Sequence, residues 1–321
     1  MKINIKTSLG VLVAGFFLYL VLRQINIDQV WRTLSQAGLF FVITAIGSFF
    51  IGYSCRIERW RLMLAGDNPS LRWHQVTGPF FASIATNNVL PLRAGDIMRG
   101  FAFNNSLSIS SATAITSLLI ERLLDLLMVL GFLGLALWGL EISSSEFIGL
   151  SSIFLISSAI FIGLILFFPI VFKSIFLSIG SFFEKLYPKF GKKIITLIEG
   201  VFEALSYISK KSTMSKLLFW SLLAWIFEGF TFLLGALALP VIIHPFGAWL
   251  ALPVGTLSTI IPSTPGYIGT FDFFTSRAMV IVGNGVEGST AYALLVHLIL
   301  WFPPTILGGI YLLLNPILKN K

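Results

Sequence analysis

Apolar runs about the length of one bilayer crossing recur along the chain, and they restrict its fold more than any motif does. They cover residues 7–22, 39–54, 111–140, 147–168, 217–239 and 291–314. About 20 apolar residues suffice to cross the hydrocarbon core as a helix. No water reaches that depth, so every backbone N–H and C=O must be satisfied within the segment, and helices are the expected result. Composition agrees: 56% of the 321 residues are hydrophobic and 11% charged, against about 25% charged in a soluble domain. The reading is an all-α, polytopic membrane protein with about six full transmembrane helices. Residues 1–321 form a single integral membrane domain, with no room for a separate catalytic one.

The net charge of +8 suggests nucleic acid at first, but the lysines sit in short loops beside apolar spans, where they set topology. No nucleic-acid partner is expected. One cysteine, Cys55, and three scattered histidines, His74, His244 and His297, argue against a metal site, and no cofactor motif is present. The three histidines read as structural. The apolar run after Lys2 and Lys6 lacks a small-x-small cleavage pattern, so it reads as a retained first helix rather than a signal peptide. Residues 25–38 suit a short interfacial helix anchored by Trp31. Arg56, Arg59 and Arg61 read as a basic collar where the second span leaves the membrane, with Trp31, Trp60, Trp73 and Trp249 in interfacial belts.

Two apolar stretches are broken. Residues 76–103 are interrupted by Asn87, Asn88, Pro91 and Gly95, and residues 245–282 by Pro253, Pro262, Pro265, Gly266 and Gly269. Irregular backbone at membrane depth is tolerated only inside protein or beside water, so both read as re-entrant hairpins. Paired broken segments in the two halves of a chain point to a transporter site between inverted repeats. Here the halves would be residues 1–170 and 217–321. The connector, residues 173–216, carries eight lysines and is expected to form amphipathic helices on the membrane surface. The Lys and Arg bias puts it, and both termini, on the cytoplasmic side of the cytoplasmic (inner) membrane.

Charges inside such a membrane are expensive and are usually paired or functional. Arg93, Asp96 and Arg99 lie on the first hairpin; Glu121, Arg122 and Asp125 lie on the third long run; Glu228, Asp272 and Arg277 lie in the second half. Arg93, Arg99 and Arg122 are the candidates to grip a lipid phosphate, because a guanidinium offers forked hydrogen bonds. Asn87, Asn88, Ser263 and Thr264 could bind the rest of a headgroup. Asp96, Glu121, Asp125, Glu228 and Asp272 would orient the arginines or relay protons. Alternatively the charges simply pair, Arg122 with Asp96 or Asp272, to hold the hairpins.

Four fragments occur in order: Arg56-x-x-Arg59-Trp60-x-x-Met63-Leu64, Asn88-x-Leu90-Pro91-x-Arg93-x-Gly95-Asp96-x-x-Arg99, Glu121-Arg122-x-x-Asp125, and Pro265-Gly266-x-Ile268-Gly269-x-x-Asp272. Together they resemble the flippase-like transmembrane-region family of lysylphosphatidylglycerol synthases. The resemblance implies a lipid-translocating module, which in the full-length synthases moves aminoacylated phosphatidylglycerol to the outer leaflet. Relatives are linked to polyprenyl-phosphate sugar pathways. Synthase activity is not implied, because the aminoacyl-transferase domain is not seen. The expected function is translocation of an anionic phospholipid, glycolipid or polyprenyl-phosphate lipid by a non-enzymatic protein, alone or as a homo-oligomer. The competing readings are an accessory subunit that docks a lipid-modifying enzyme or glycosyltransferase, and a small-solute secondary transporter.

Overall fold

A computed structural model describes residues 27–90, 93–140, 157–158, 160–164, 168–186, 188–261 and 265–315. The expected first span, most of the fourth, and Pro91, Pro262, Ser263 and Thr264 lie outside the described residues. Every regular element among the described residues is helical. A short α1 (Ile27–Ser35) leads into α2 (Leu39–Leu64). Trp31 on α1 is exposed, as an interfacial anchor would be. No proline or other breaker interrupts α2 until Ala65-Gly66, so the helix runs on through Arg56, Arg59 and Trp60 instead of ending before them.

The first broken stretch is α3 (Trp73–Val89) followed by α4 (Ala94–Phe101). Leu90 has an extended backbone, φ −104° and ψ 146°, as expected of a residue that precedes proline. Arg93 then takes a left-handed conformation at φ 53° to start α4. The turn brings α4 back along α3. A Cβ on Gly95 would stand 1.9 Å from the Ser83 carbonyl oxygen, so only glycine lets the two backbones pass this closely. A single turn, α5 (Asn104–Leu107), precedes α6 (Ser111–Gly139), whose first turn is capped by Ser110 accepting the Thr113 N–H at 3.1 Å.

The lysine-rich connector is a helical pair, α7 (Pro169–Leu186) and α8 (Pro188–Ile208), and α8 packs on α6. Next comes α9 (Lys211–Leu237). The second broken stretch is α10 (Ala248–Ser258) followed by α11 (Thr270–Ile281), and α12 (Val286–Leu314) follows. Gly255 does for this hairpin what Gly95 does for the first: a Cβ there would meet Thr275 Oγ1 at 2.3 Å. Among the described residues, three helices, α2, α9 and α12, are long and apolar enough to cross a membrane. They turn large apolar side chains outward, among them Ile43, Phe219 and Leu298. The core lies between α6, α9, α10, α11 and α12, around Trp225, Phe232, Leu252, Met279 and Tyr292.

The helix contacts are reciprocal between the two halves. Helix α2 packs on α9. The first hairpin leans on α12 through α3, and the second leans on α6 through α10. At Gly308 on α12 a Cβ would stand 2.1 Å from the Phe81 carbonyl oxygen of α3. Gly308→Val should therefore push α3 off α12 and lower stability by about 1–3 kcal/mol, read as a drop in melting temperature in detergent. Gly134 has open space at its Cβ position, and Gly134→Val should leave the melting temperature nearly unchanged.

Candidate functional site

The charges gather in two places. The first is where α2, α6 and α9 cross. Asp125 on α6 accepts three hydrogen bonds on one oxygen: from Arg59 Nη1 at 2.8 Å, from Trp225 Nε1 at 3.1 Å and from Arg56 Nη1 at 3.2 Å. Arg56 also pairs with Glu228 on α9 and lies over the Trp225 ring at 5.0 Å. Arg59 is fully buried and donates to Ser221 Oγ at 2.9 Å. The expected interfacial collar is thus corrected: Arg56 and Arg59 point inward because the uninterrupted helix carries them past the acids of α6 and α9. Trp60 is corrected with them. It is fully buried, and its indole N–H donates to Ser117 Oγ at 3.1 Å.

The second place is the first hairpin. Arg99 donates to Glu121 at 2.7 Å and is sandwiched between the Trp60 and Phe80 rings, each 5.1 Å away. With its side chain 1% exposed, Arg99 is shut off from any headgroup in this conformation. Asp96 accepts from Arg122 at 2.9 Å and from Asn87 Nδ2 at 2.9 Å. Asn87 Oδ1 accepts the backbone N–H groups of Gly95 and Asp96, which pins the start of α4 to the end of α3. Asn88 donates to Thr305 Oγ1 at 2.8 Å and ties the same hairpin to α12. Both asparagines, expected to meet a headgroup, spend their amide groups inside the protein.

The second hairpin has a matching seat. Asp272, in the first turn of α11, accepts the Gly269 N–H at 2.9 Å and faces His297 Nδ1 at 2.7 Å. In each half, then, an acid in the first turn of the returning helix meets a basic side chain on the following long helix, 26 residues on for Asp96 and Arg122 and 25 for Asp272 and His297. His297 was read as structural, and Asp272 was grouped with Glu228 and Arg277. The structure separates that trio: Glu228 pairs with Arg56, Asp272 with His297, and Arg277 lies over the Phe273 ring at 5.4 Å. The similar spacing from each acid, 26 and 25 residues, was the signal available in the sequence.

The hairpin tips meet. Arg93 Nη2 lies 3.4 Å from the Thr259 carbonyl oxygen, and its guanidinium stands 6.0 Å from the centre of the Tyr267 ring. Tyr267 is left-handed too, at φ 60°, so each tip presents one strained residue to the other. Between them is a cavity of about 160 Å³, with Tyr53, Asn88, Glu228, Thr259, His297 and Trp301 in its wall. Arg122 is 43% exposed. No carboxylate among the described residues pairs with Arg93. Of the expected structural breaks, Pro265, Gly266 and Gly269 sit at the turn before α11, whereas Gly95 lies in the first turn of α4 and Pro253 inside α10, where the helix continues through it. Among the described residues, no group of three or more His, Cys, Asp or Glu is placed to hold a metal ion.

Comparison with known proteins adds the family. Full-length likenesses include a UPF0104 membrane protein of Pyrococcus horikoshii, 25% identical with 97% of each chain covered. Another, from Methanocaldococcus jannaschii, is 24% identical over 98% of this chain and 96% of that one. A shorter likeness, 30% identical over 131 residues, is to glycosyltransferase AglD of Haloferax volcanii, covering 41% of this chain and 21% of that protein. The lysylphosphatidylglycerol synthase TM region family matches residues 8–308. With four charged motifs, apolar spanning helices and a match over nearly its whole length, the chain is a multi-pass membrane protein of the lysylphosphatidylglycerol synthase TM region family.

Proposed function

We propose that the protein carries an anionic lipid headgroup across the membrane between the two hairpin tips, while the tails stay in the bilayer. The observation that supports this best is Arg93. Every other arginine in the two clusters has a carboxylate partner, and Arg93, at the meeting of the tips, has none among the described residues. An unpaired charge at membrane depth costs about 2.5–3.5 kcal/mol on insertion scales, and a lipid phosphate would offset that cost. Arg122 is the second phosphate contact, since it is 43% exposed although it lies 2.9 Å from Asp96 and 3.9 Å from Glu121. Arg99 keeps the hairpin in place, and Asp96, Glu121, Asp125 and Glu228 orient the arginines.

The same reading makes both hairpins re-entrant and the two halves an inverted repeat. The reciprocal packing of α2 on α9, α3 on α12 and α10 on α6 favours it. One crossing at residues 147–168 would turn the second half over relative to the first, for six crossings in all. The positive residues then put both termini and the α7–α8 pair on the cytoplasmic side of the inner membrane. The likeness to a glycosyltransferase favours a sugar-bearing lipid among the anionic candidates.

Mass spectrometry of lipids retained by the detergent-purified protein tests the substrate class. Wild type should hold an anionic lipid that Arg93→Ala loses by about tenfold or more, as loss of a charged hydrogen bond worth about 1.5–3 kcal/mol requires. The same bulk phospholipid on both proteins would remove the phosphate role from Arg93 and favour an accessory subunit.

A further inference from the structure

His297 sits between two acceptors. Its Nδ1 is 2.7 Å from Asp272 Oδ1 and its Nε2 is 2.8 Å from the Gly266 carbonyl oxygen. A backbone carbonyl can only accept, and a carboxylate can only accept while ionised. A neutral imidazole has one N–H and can satisfy one of the two. Both contacts are hydrogen bonds only if the pair holds two protons, either as imidazolium beside carboxylate or as imidazole beside carboxylic acid. The Phe271 ring, edge-on at 5.0 Å, packs against the imidazole and holds its plane. The geometry points to His297 and Asp272 as the site of a coupling proton, whose departure releases the tip of the second hairpin.

The consequence follows from what Gly266 touches. Remove one proton, and a lone pair on His297 Nε2 faces a lone pair on the Gly266 oxygen. That contact is the side-chain tie between α12 and the Pro265–Tyr267 turn, which is held at φ 70° and 60° in Gly266 and Tyr267. The turn abuts the other hairpin: a Cβ on Gly266 would lie 3.4 Å from the Asn88 oxygen, and Tyr267 lies beneath Arg93. A proton on His297 therefore closes the tips, and its loss lets them part. The first half has no such control, because Arg122, the counterpart of His297, stays charged. The proton has a route, since His297 lines the cavity between the tips.

Among the described residues, the other groups around this histidine are few. From α9, Glu228 lines the cavity but is paired with Arg56 of α2. Two phenols, Tyr53 of α2 and Tyr267 of the turn, also line it, with Thr256 of α10, Thr259 just past the end of α10 and Asn88 of α3. Helix α1, with Asp28 and Arg32, packs on α12 but places no residue in the cavity wall. Asp272 is the acid in contact with the ring.

This inference rests on the transport reading, and the test separates the two. Full-length protein in lipid nanodiscs is followed by hydrogen exchange of the amides of residues 266–270, corrected for the intrinsic pH dependence of exchange. Opening should rise with pH by up to about tenfold per unit once the proton is lost. Asp272→Asn should abolish that rise and keep the turn protected at high pH. The asparagine N–H can donate to Nδ1, leaving Nε2–H for Gly266, while its oxygen still caps Gly269. Protection that ignores pH in the wild type, or a pH response that survives in Asp272→Asn, overturns the inference. In parallel, movement of a fluorescent phosphatidylglycerol is followed in phosphatidylcholine vesicles carrying the protein. Opening that follows pH with no lipid movement leaves the proton gate standing and refutes transport of phosphatidylglycerol. Lipid movement without pH-dependent opening does the reverse.

Discussion

Asp125→Ala is expected to deplete folded protein from the membrane. One oxygen of Asp125 takes hydrogen bonds from Arg59, Arg56 and Trp225, and Arg59 is wholly buried with Nε and Nη2 already lacking partners among the described residues. Removing one partner of a buried pair costs about 3–5 kcal/mol, because the charge left behind is uncompensated. A domain is stable by only about 5–15 kcal/mol. Fluorescence-detected size exclusion should show loss of the monodisperse peak, or a large fall in melting temperature. Arg59→Leu in the same chain should restore part of the loss, since the double variant no longer buries an orphaned guanidinium. By contrast, Arg122→Ala removes a half-exposed ion pair with Asp96 and should cost no more than about 1 kcal/mol. An Asp125→Ala protein as stable as wild type would mean that the crossing of α2, α6 and α9 is held by packing alone.

The second large effect is on transport and should leave folding alone. Arg93→Ala should slow movement of an anionic lipid in reconstituted vesicles by about 10–100-fold, the kinetic equivalent of a charge-assisted hydrogen bond to phosphate. Arg93→Lys should keep part of the rate, because an ammonium supplies charge without the planar fork. Arg93→Gly gives the cleanest separation. The left-handed conformation costs a non-glycine residue about 1–2 kcal/mol, so glycine at φ 53° should raise the melting temperature while transport is lost. A glycine variant that transports normally would take Arg93 out of the mechanism.

Proline and glycine made the hairpins legible in the sequence. Leu90 is extended ahead of Pro91 and glycines sit at the turn before α11, but Pro253 lies inside α10 and Gly95 inside α4, so not every expected break interrupts a helix. The lysine-rich connector was legible as helix from its apolar spacing. The partners of the charges were less so. Arg56 meets acids 69 and 172 residues away, and no local pattern encodes such pairs. What could have been read is that nothing stops α2 before Ala65, so its arginines, three residues apart, share a face inside the bundle. His297 escaped for a similar reason: a lone histidine in an apolar helix looks structural until Asp272 and Gly266 are folded against it. Asn87 and Asn88 looked like ligand contacts because the lines of their hydrogen bonds, back to α4 and across to α12, exist only in three dimensions.

The hairpins lean on the opposite halves, and this bears on how the protein is made. Residues of α3 find their close-packed neighbour, Gly308, more than two-thirds of the chain later. During synthesis the first hairpin must therefore wait, with the flank of α3 that packs on α12 unoccupied, until the final helix emerges. The second hairpin has the opposite experience, since its neighbour α6 is made before it. Assembly from the ribosome is thus lopsided even where the finished contacts are mutual.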